Sequence, residues 1–198
     1  ALGEVVTLRD LLAALQNAPG TASDAQPLDA PARWSEPAQV IPVDTATLVD
    51  VLEWHVRAHP DRVHIVYVGD SAETHISYRD LHRQIEAVAA GLQRQGLEPR
   101  QTVAIMLPTS LEFFASYFGI LLAGAVPVPI YPPVRLAQLG DHMRRQAGVL
   151  TSAEARLLVT VPEAKPLGTL LKGQVPTLKR VVTFADLAES GGTLAPVA

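Results

Sequence analysis

Between Phe113 and Ile130 the chain reads FFASYFGILLAGAVPVPI, and none of these residues carries a charge. A soluble fold must bury such a run, or a membrane must. Its length just reaches the roughly 18 residues that mark a spanning candidate. Pro127 and Pro129 cannot continue a helix, however, and Gly124 is a natural C-terminal stop. What remains, Ser110 to Ala123, is about 20 Å long at ~1.5 Å per residue, short of a hydrocarbon core of about 30 Å. The run therefore predicts a helix buried on most sides, then the strand AVPVPI, then a proline-stiffened corner at YPPVRL, with no transmembrane segment.

The flanks give that helix a layer to pack on. TVAIML (Thr102–Leu107) is mostly apolar, as a parallel strand covered on both faces should be. VHIVYV (Val63–Val68) and a short piece around THIS read as strands. Ser77 caps a long helix carrying Leu81, Ile85, Val88, Ala89 and Leu92 at helical spacing, and Gly96 ends it. Upstream, a helix beginning near Asp44 or Thr45 places Leu48, Val51, Leu52 and His55 on one stripe and stops before Pro60. Downstream come a helix from about Ala137, the strand RLLVTV, a helix over 163–172, a strand over 179–183 and a polar end, ADLAESGG. Strands alternating with helices through short loops predict an α/β fold with a mainly parallel sheet flanked by helices.

Three segments follow from composition. Residues 1–17 hold a short amphipathic helix capped by Thr7, with Leu8, Leu11, Leu12 and Leu15 on one face. Residues 18–44 are a Pro/Ala/Ser/Asp-rich linker without a period, and residues 45–198 are the folded part. The first residues have no basic region of a signal peptide, and the missing initiator Met points to a start inside a longer protein. Of the 198 residues, 48% are hydrophobic and 18% charged, enough for a packed core. A net charge of −4 without a Lys/Arg stripe argues against nucleic acid, whose binding rests on phosphate neutralisation. There is no cysteine, which removes disulfides and thiolate metal sites and fits a cytoplasmic protein.

Candidate chemistry is sparse. His55 and His59 have the i,i+4 spacing of a shared zinc, but Val56 stands where a metalloprotease keeps its glutamate, and no third ligand is evident. Gly168 and Gly173 have the separation of P-loop glycines, yet Lys172 precedes the second one and Gln174-Val175 replaces Lys-Ser/Thr. No G-x-G-x-x-G and no G-x-S-x-G occurs. No catalytic residue, cofactor-binding residue or metal ligand emerges. The apolar helix and the stiff corner remain: they either line a pocket for a long apolar ligand or pack the end of the sheet.

Three stretches taken together resemble the adenylate-forming (AMP-binding) superfamily. In HISYRDLHRQIEAVAAGLQRQGLEPRQTVAIMLPTS, Ile76, Ser77, Tyr78 and Leu81 match an early family motif, with Asp80 in place of its usual glutamate. YFGILLAGAVPVPI is similar to the family's helix ending Ala-Gly and strand ending Val-Pro. IYPPVRLAQLGDHMRRQAGVLTSAEARLLVT, with its Tyr-Pro-Pro followed by Arg and Leu, resembles the fatty acyl-AMP ligase branch.

The resemblance implies the first N-terminal subdomain of such a ligase, with ATP and Mg²⁺ used by the parent and neither bound by this fragment. It implies a fatty acid substrate whose chain lies between subdomains, with Phe118, Leu122, Pro129, Tyr131, Pro132 and Pro133 at the pocket wall. The parent would form an acyl-AMP and pass the acyl group to an acyl carrier protein. The phosphate loop, adenine motif, ribose aspartate and late lysine of the family have no counterpart in these residues, so the fragment alone is expected to be inactive. LGEVVTLRDLLAALQ also resembles the last helix of an acyl carrier domain, which would make the carrier a fused upstream neighbour; a generic amphipathic helix accounts for it equally. A fatty acyl-CoA ligase fragment and a non-catalytic α/β binding module are the alternatives.

Overall fold

The structure, a computed structural model, describes residues 42–69, 72–132, 139–189 and 194–195, all within one compact unit, Val40–Ala198. The expected N-terminal helix, most of the linker, and the Pro133–Leu136 part of the corner lie outside the described residues. The elements are α1 (Leu48–Ala58), β1 (Val63–Val68), β2 (Glu73–Ser77), α2 (Tyr78–Arg94), β3 (Thr102–Met106), α3 (Leu111–Leu122), β4 (Val126–Pro129), α4 (Leu139–Ser152), β5 (Leu157–Thr160), α5 (Lys165–Gln174), β6 (Arg180–Thr183) and α6 (Phe184–Ala188). Strands β3–β6 form a parallel sheet in the order β4-β3-β5-β6, and β1 and β2 form a separate antiparallel hairpin.

The period of two in the central strands divides the core. Val103, Ile105, Leu157, Val159 and Val182 face Val88, Leu92 and Ile120 of α2 and α3. Their neighbours Ala104, Met106 and Leu158 face Met143, Leu150 and Leu171 of α4 and α5. Both faces of β3 and β5 are thus dry, which is why their sequences read as continuous apolar runs. A third cluster joins α1 and the hairpin to α2 and α3 through Leu52, Ile76, Tyr78, Leu81, Ile85 and Ala115.

Helix ends follow local chemistry. Ser77 Oγ accepts from the Asp80 backbone N–H at 3.1 Å, and Ser110 caps α3 at Phe113. At the exit of α3, Gly124 has φ +72°, and the Ala125 N–H reaches back to the Ile120 carbonyl at 3.0 Å. Gly96 does the same after α2 with φ +81°, and Glu154 after α4 with φ +50°. Gly91 of α2 marks a close approach: a Cβ there would lie 2.8 Å from the Leu187 Cα of α6.

Three expectations change. Helix α1 starts at Leu48, because Thr47 and Asp50 form a reciprocal cap; the Asp50 N–H donates to Thr47 Oγ1 at 3.1 Å and the Thr47 N–H to Asp50 Oδ2 at 2.8 Å. Leu48 then sits at the first position, 57% exposed, and Leu52 is the buried anchor. The polar end is a helix in its first half, since Thr183 and Asp186 repeat that cap around Phe184–Ala188. Helix α3 is also less enclosed than its composition suggested: Ala115, Ser116, Gly119 and Ile120 are buried, while Phe113, Phe114, Tyr117, Phe118, Leu121 and Leu122 are half-buried.

The prolines of AVPVPI have a clear place. In the β3–β4 ladder the N–H groups of Val126 and Ile130 donate to Gln101 and Ile105. Alternation puts the amide positions of Pro127 and Pro129 on the outer edge. An edge that would otherwise show N–H donors to any passing strand therefore has none there.

Two outcomes follow. Gly124→Val forces a branched residue into the left-handed region, and a loss of about 1–2 kcal/mol should appear as a lower melting temperature. Replacing Pro127 and Pro129 together by Val restores the outer donors, and light scattering should then detect concentration-dependent association absent from the wild type.

Candidate functional site

The sheet order contains a reversal. From β3 the chain passes through α3, on one face, to β4 on the left; from β5 it passes through α5, on the other face, to β6 on the right. The loops leaving β3 and β5 therefore diverge at their carboxyl ends, the position where open parallel sheets keep a crevice. A cleft of about 320 Å³ lies there, walled by Leu107, Pro108, Val161, Pro162 and Phe184.

Three hydroxyls of the cleft make hydrogen bonds to the backbone. Thr160 Oγ1, buried, donates to the Met106 carbonyl at 3.2 Å and ties β5 to β3. Ser110 Oγ accepts from the Phe113 N–H at 3.4 Å, and Thr183 Oγ1 from the Asp186 N–H at 3.2 Å. The carboxylate-bearing Glu112 lies on the lining. The walls are mainly apolar and Glu112 adds an acid, which suits an uncharged group.

Asp186 holds α6 in place. Its carboxylate accepts the Thr183 backbone N–H at 2.9 Å and pairs with Lys165 Nζ at 2.9 Å. The Thr183 backbone hydrogen bond, followed by the lysine, keeps its pKa below the ordinary 3.8.

The residues expected at an acyl pocket fall in two places. Phe118 and Leu122 pack with Val49, Leu52, His82 and Ile85 between α1, α2 and α3, leaving no room for a water molecule. Pro129 is exposed, Pro132 half-buried, and Tyr131 is 83% exposed with its carbonyl accepting from Gln146 Nε2 at 3.4 Å. None of these three lines the cleft or joins that packing, and Pro133 lies outside the described residues. The sequence reading missed the switch-point cleft. Its residues follow directly after β3, β5 and β6, so strand ends in a parallel sheet were the signal.

Gly168 and Gly173 lie inside α5, not in a phosphate loop, and a Cβ at Gly168 would meet Val181 Cγ1 at 2.6 Å. His55 and His59 lie at the C-terminal end of α1. Among the described residues no group of three His, Cys, Asp or Glu could hold a metal, and no helix is long and apolar enough to cross a membrane.

Comparison with known proteins completes the picture. The family model of the AMP-binding enzymes matches residues 52–195. A salicyl-AMP ligase/salicyl-S-ArCP synthetase of Mycobacterium tuberculosis is 29% identical over 163 residues, covering 76% of this chain and 28% of that protein. A medium-chain-fatty-acid–[acyl-carrier-protein] ligase of Moorena producens is 29% identical over 117 residues, 58% of this chain and 19% of that protein. A structure from work on fatty acyl-adenylate ligases of E. coli and L. pneumophila superposes with a TM-score of 0.62 at 25% identity, covering 78% of this chain and 28% of the other. The chain spans under a third of the length of each.

Asp186→Asn should lower stability at neutral pH. The folded-state pKa of Asp186 is depressed, so its contribution is present above the ordinary 3.8 and is lost as pH falls through the lower folded value. Denaturant titrations of wild type and variant should therefore converge in acid; a constant gap would contradict the assignment.

Proposed function

The chain belongs to the AMP-binding enzyme family, and on that premise we propose that it is the N-terminal part of an ATP-dependent ligase that activates a fatty acid as acyl-AMP for transfer to a carrier protein. A carboxylate oxygen of the acid attacks the α-phosphorus of ATP and pyrophosphate leaves. The carrier thiol then attacks the acyl carbon, losing its proton, and AMP leaves.

Support for the fatty branch is the sequence likeness to a medium-chain fatty acid ligase and the structural likeness to fatty acyl-adenylate ligases. The Tyr131-Pro132 corner is the observation that carries it on this chain. Tyr131 is 83% exposed and Pro132 half-buried, so the corner lines no pocket in this chain, and on this reading it becomes one wall of a slot only when the rest of the parent covers it. We assign Pro129, Tyr131, Pro132 and Pro133 to that wall, and Phe118 and Leu122 to the packing that supports it. The same reading divides the chain into a helix (1–17), a linker (18–44) and the subdomain (45–198), and places the parent in the cytoplasm.

Among the described residues the paired glycines are helical and no group of three His, Cys, Asp or Glu could hold a metal. ATP and Mg²⁺ are assigned to the remainder of the parent. An aryl acid is the second substrate reading, favoured by the salicyl-AMP ligase among the relatives.

Pyrophosphate exchange decides between them. The complete parent should exchange label with medium- or long-chain fatty acids at least roughly tenfold better than with salicylate, a difference of about 1.4 kcal/mol. The reverse order would establish the aryl reading. Coenzyme A in place of carrier protein tests the acceptor, and the isolated 198-residue chain should give no exchange.

A further inference from the structure

One end of the parallel sheet collects positive charge that the sequence disperses. Strands β3, β5 and β6 all start at that end, and α2 and α5 stop there, since they lead directly into β3 and β6. Arg94 closes α2, and Lys172 lies in the last turn of α5. Arg100 and Arg156 stand in the turns entering β3 and β5, and Lys179 and Arg180 open β6. The backbone joins these starts: the Arg156 N–H donates to the Thr102 carbonyl at 2.8 Å, and the Lys179 N–H to the Arg156 carbonyl at 2.8 Å. Arg156 is half-buried and the other five are exposed.

Among the described residues none of the six forms an ion pair, whereas Arg57, Arg79, Arg83, Arg144 and Lys165 each pair with a carboxylate. The side-chain contacts they make are with uncharged groups. Arg94 Nη2 donates to the Leu187 carbonyl at 3.3 Å, Lys179 Nζ to the Pro176 carbonyl at 2.8 Å, and Arg180 Nη1 to Gln95 Oε1 at 3.0 Å. Such bonds aim the cations without cancelling them. The ends of α2 and α5 offset part of the charge, and the adjoining turns carry Glu98, Glu154 and Glu189. A positive excess remains, in a chain whose net charge is −4.

We propose that this end of the sheet is a docking surface for an acidic helix of a partner protein. Spacing selects the partner. Neighbouring strands lie about 5 Å apart, so Arg100, Arg156 and Lys179 enter adjacent strands at that pitch. Side chains three or four residues apart on a helix have a similar separation, about 5–6 Å at Cβ. A helix with carboxylates at i, i+4 and i+7 thus offers one to each cation. Arg100 points to the same use. Its φ of +68° is a left-handed position where glycine costs less than arginine. Nucleic acid fits less well, because a row about 10 Å long neutralises few phosphates. The surface lies a strand length, about 16 Å, from the switch-point cleft, so a docked helix leaves that cleft open.

Fluorescence anisotropy on the complete parent tests this with a labelled synthetic alanine helix bearing glutamates three or four residues apart. The wild type should bind it saturably. Arg100→Gln, Arg156→Gln and Lys179→Gln together should weaken binding roughly tenfold, with pyrophosphate exchange at the wild-type level. Arg144→Gln with Arg145→Gln, on α4, should leave binding unchanged. No saturable binding by the wild type, no weakening by the triple variant, or equal weakening by the α4 pair would overturn the proposal. Equal binding of a glutamate peptide interrupted by prolines, or tighter binding of an oligothymidylate, would do the same. Should the triple variant fail to fold, the exposed pair Arg100→Gln with Lys179→Gln decides: weakened binding supports the surface, and unchanged binding refutes it.

Discussion

Everything in this chain is organised around two neighbouring strands, β3 and β5, that have no wet side. Val103, Ile105, Leu157 and Val159 bury one way, Ala104, Met106 and Leu158 the other. A strand pair of this kind is stable only if helices arrive on both faces, and parallel pairing supplies them, because every crossover must carry a helix back over the sheet. The left-handed residues Gly96, Gly124 and Glu154 serve the same requirement. Each turns a helix exit directly toward the strand that follows it.

The fold was largely legible because its signals are local or periodic. Leu81, Ile85, Val88, Ala89 and Leu92 announced α2, and Ser77 and Gly96 its ends; all five are fully buried. Where reading failed, a second residue had overridden the first. Asp50 moved the start of α1 by closing a cap with Thr47, and Asp186 made a helix of a stretch that looked polar and irregular. The enclosure of α3 was misjudged for another reason: hydropathy says that a side chain prefers burial, not that the chain in hand supplies the cover.

The site was much less legible. The switch-point cleft depends on which strand lies beside which, and no window of sequence contains that information. Leu107 and Val161 are far apart in the chain and become neighbours only because β5 pairs with β3. Family membership could be recognised from motifs such as ILLAGAVPVPI, but those motifs describe packing and chain reversal. Relatives named for aryl acids and for fatty acids both match this chain, so the shared motifs alone do not separate the two substrate classes.

The proline-blanked border of β4 gives the sheet a direction of growth. Any strand laid against that border would find carbonyls to bind but no amides to return the bond, half a ladder at best. Accretion of further strands in a longer polypeptide is thereby steered to the Arg180–Thr183 flank, so two prolines at one margin help determine on which side a larger architecture is assembled.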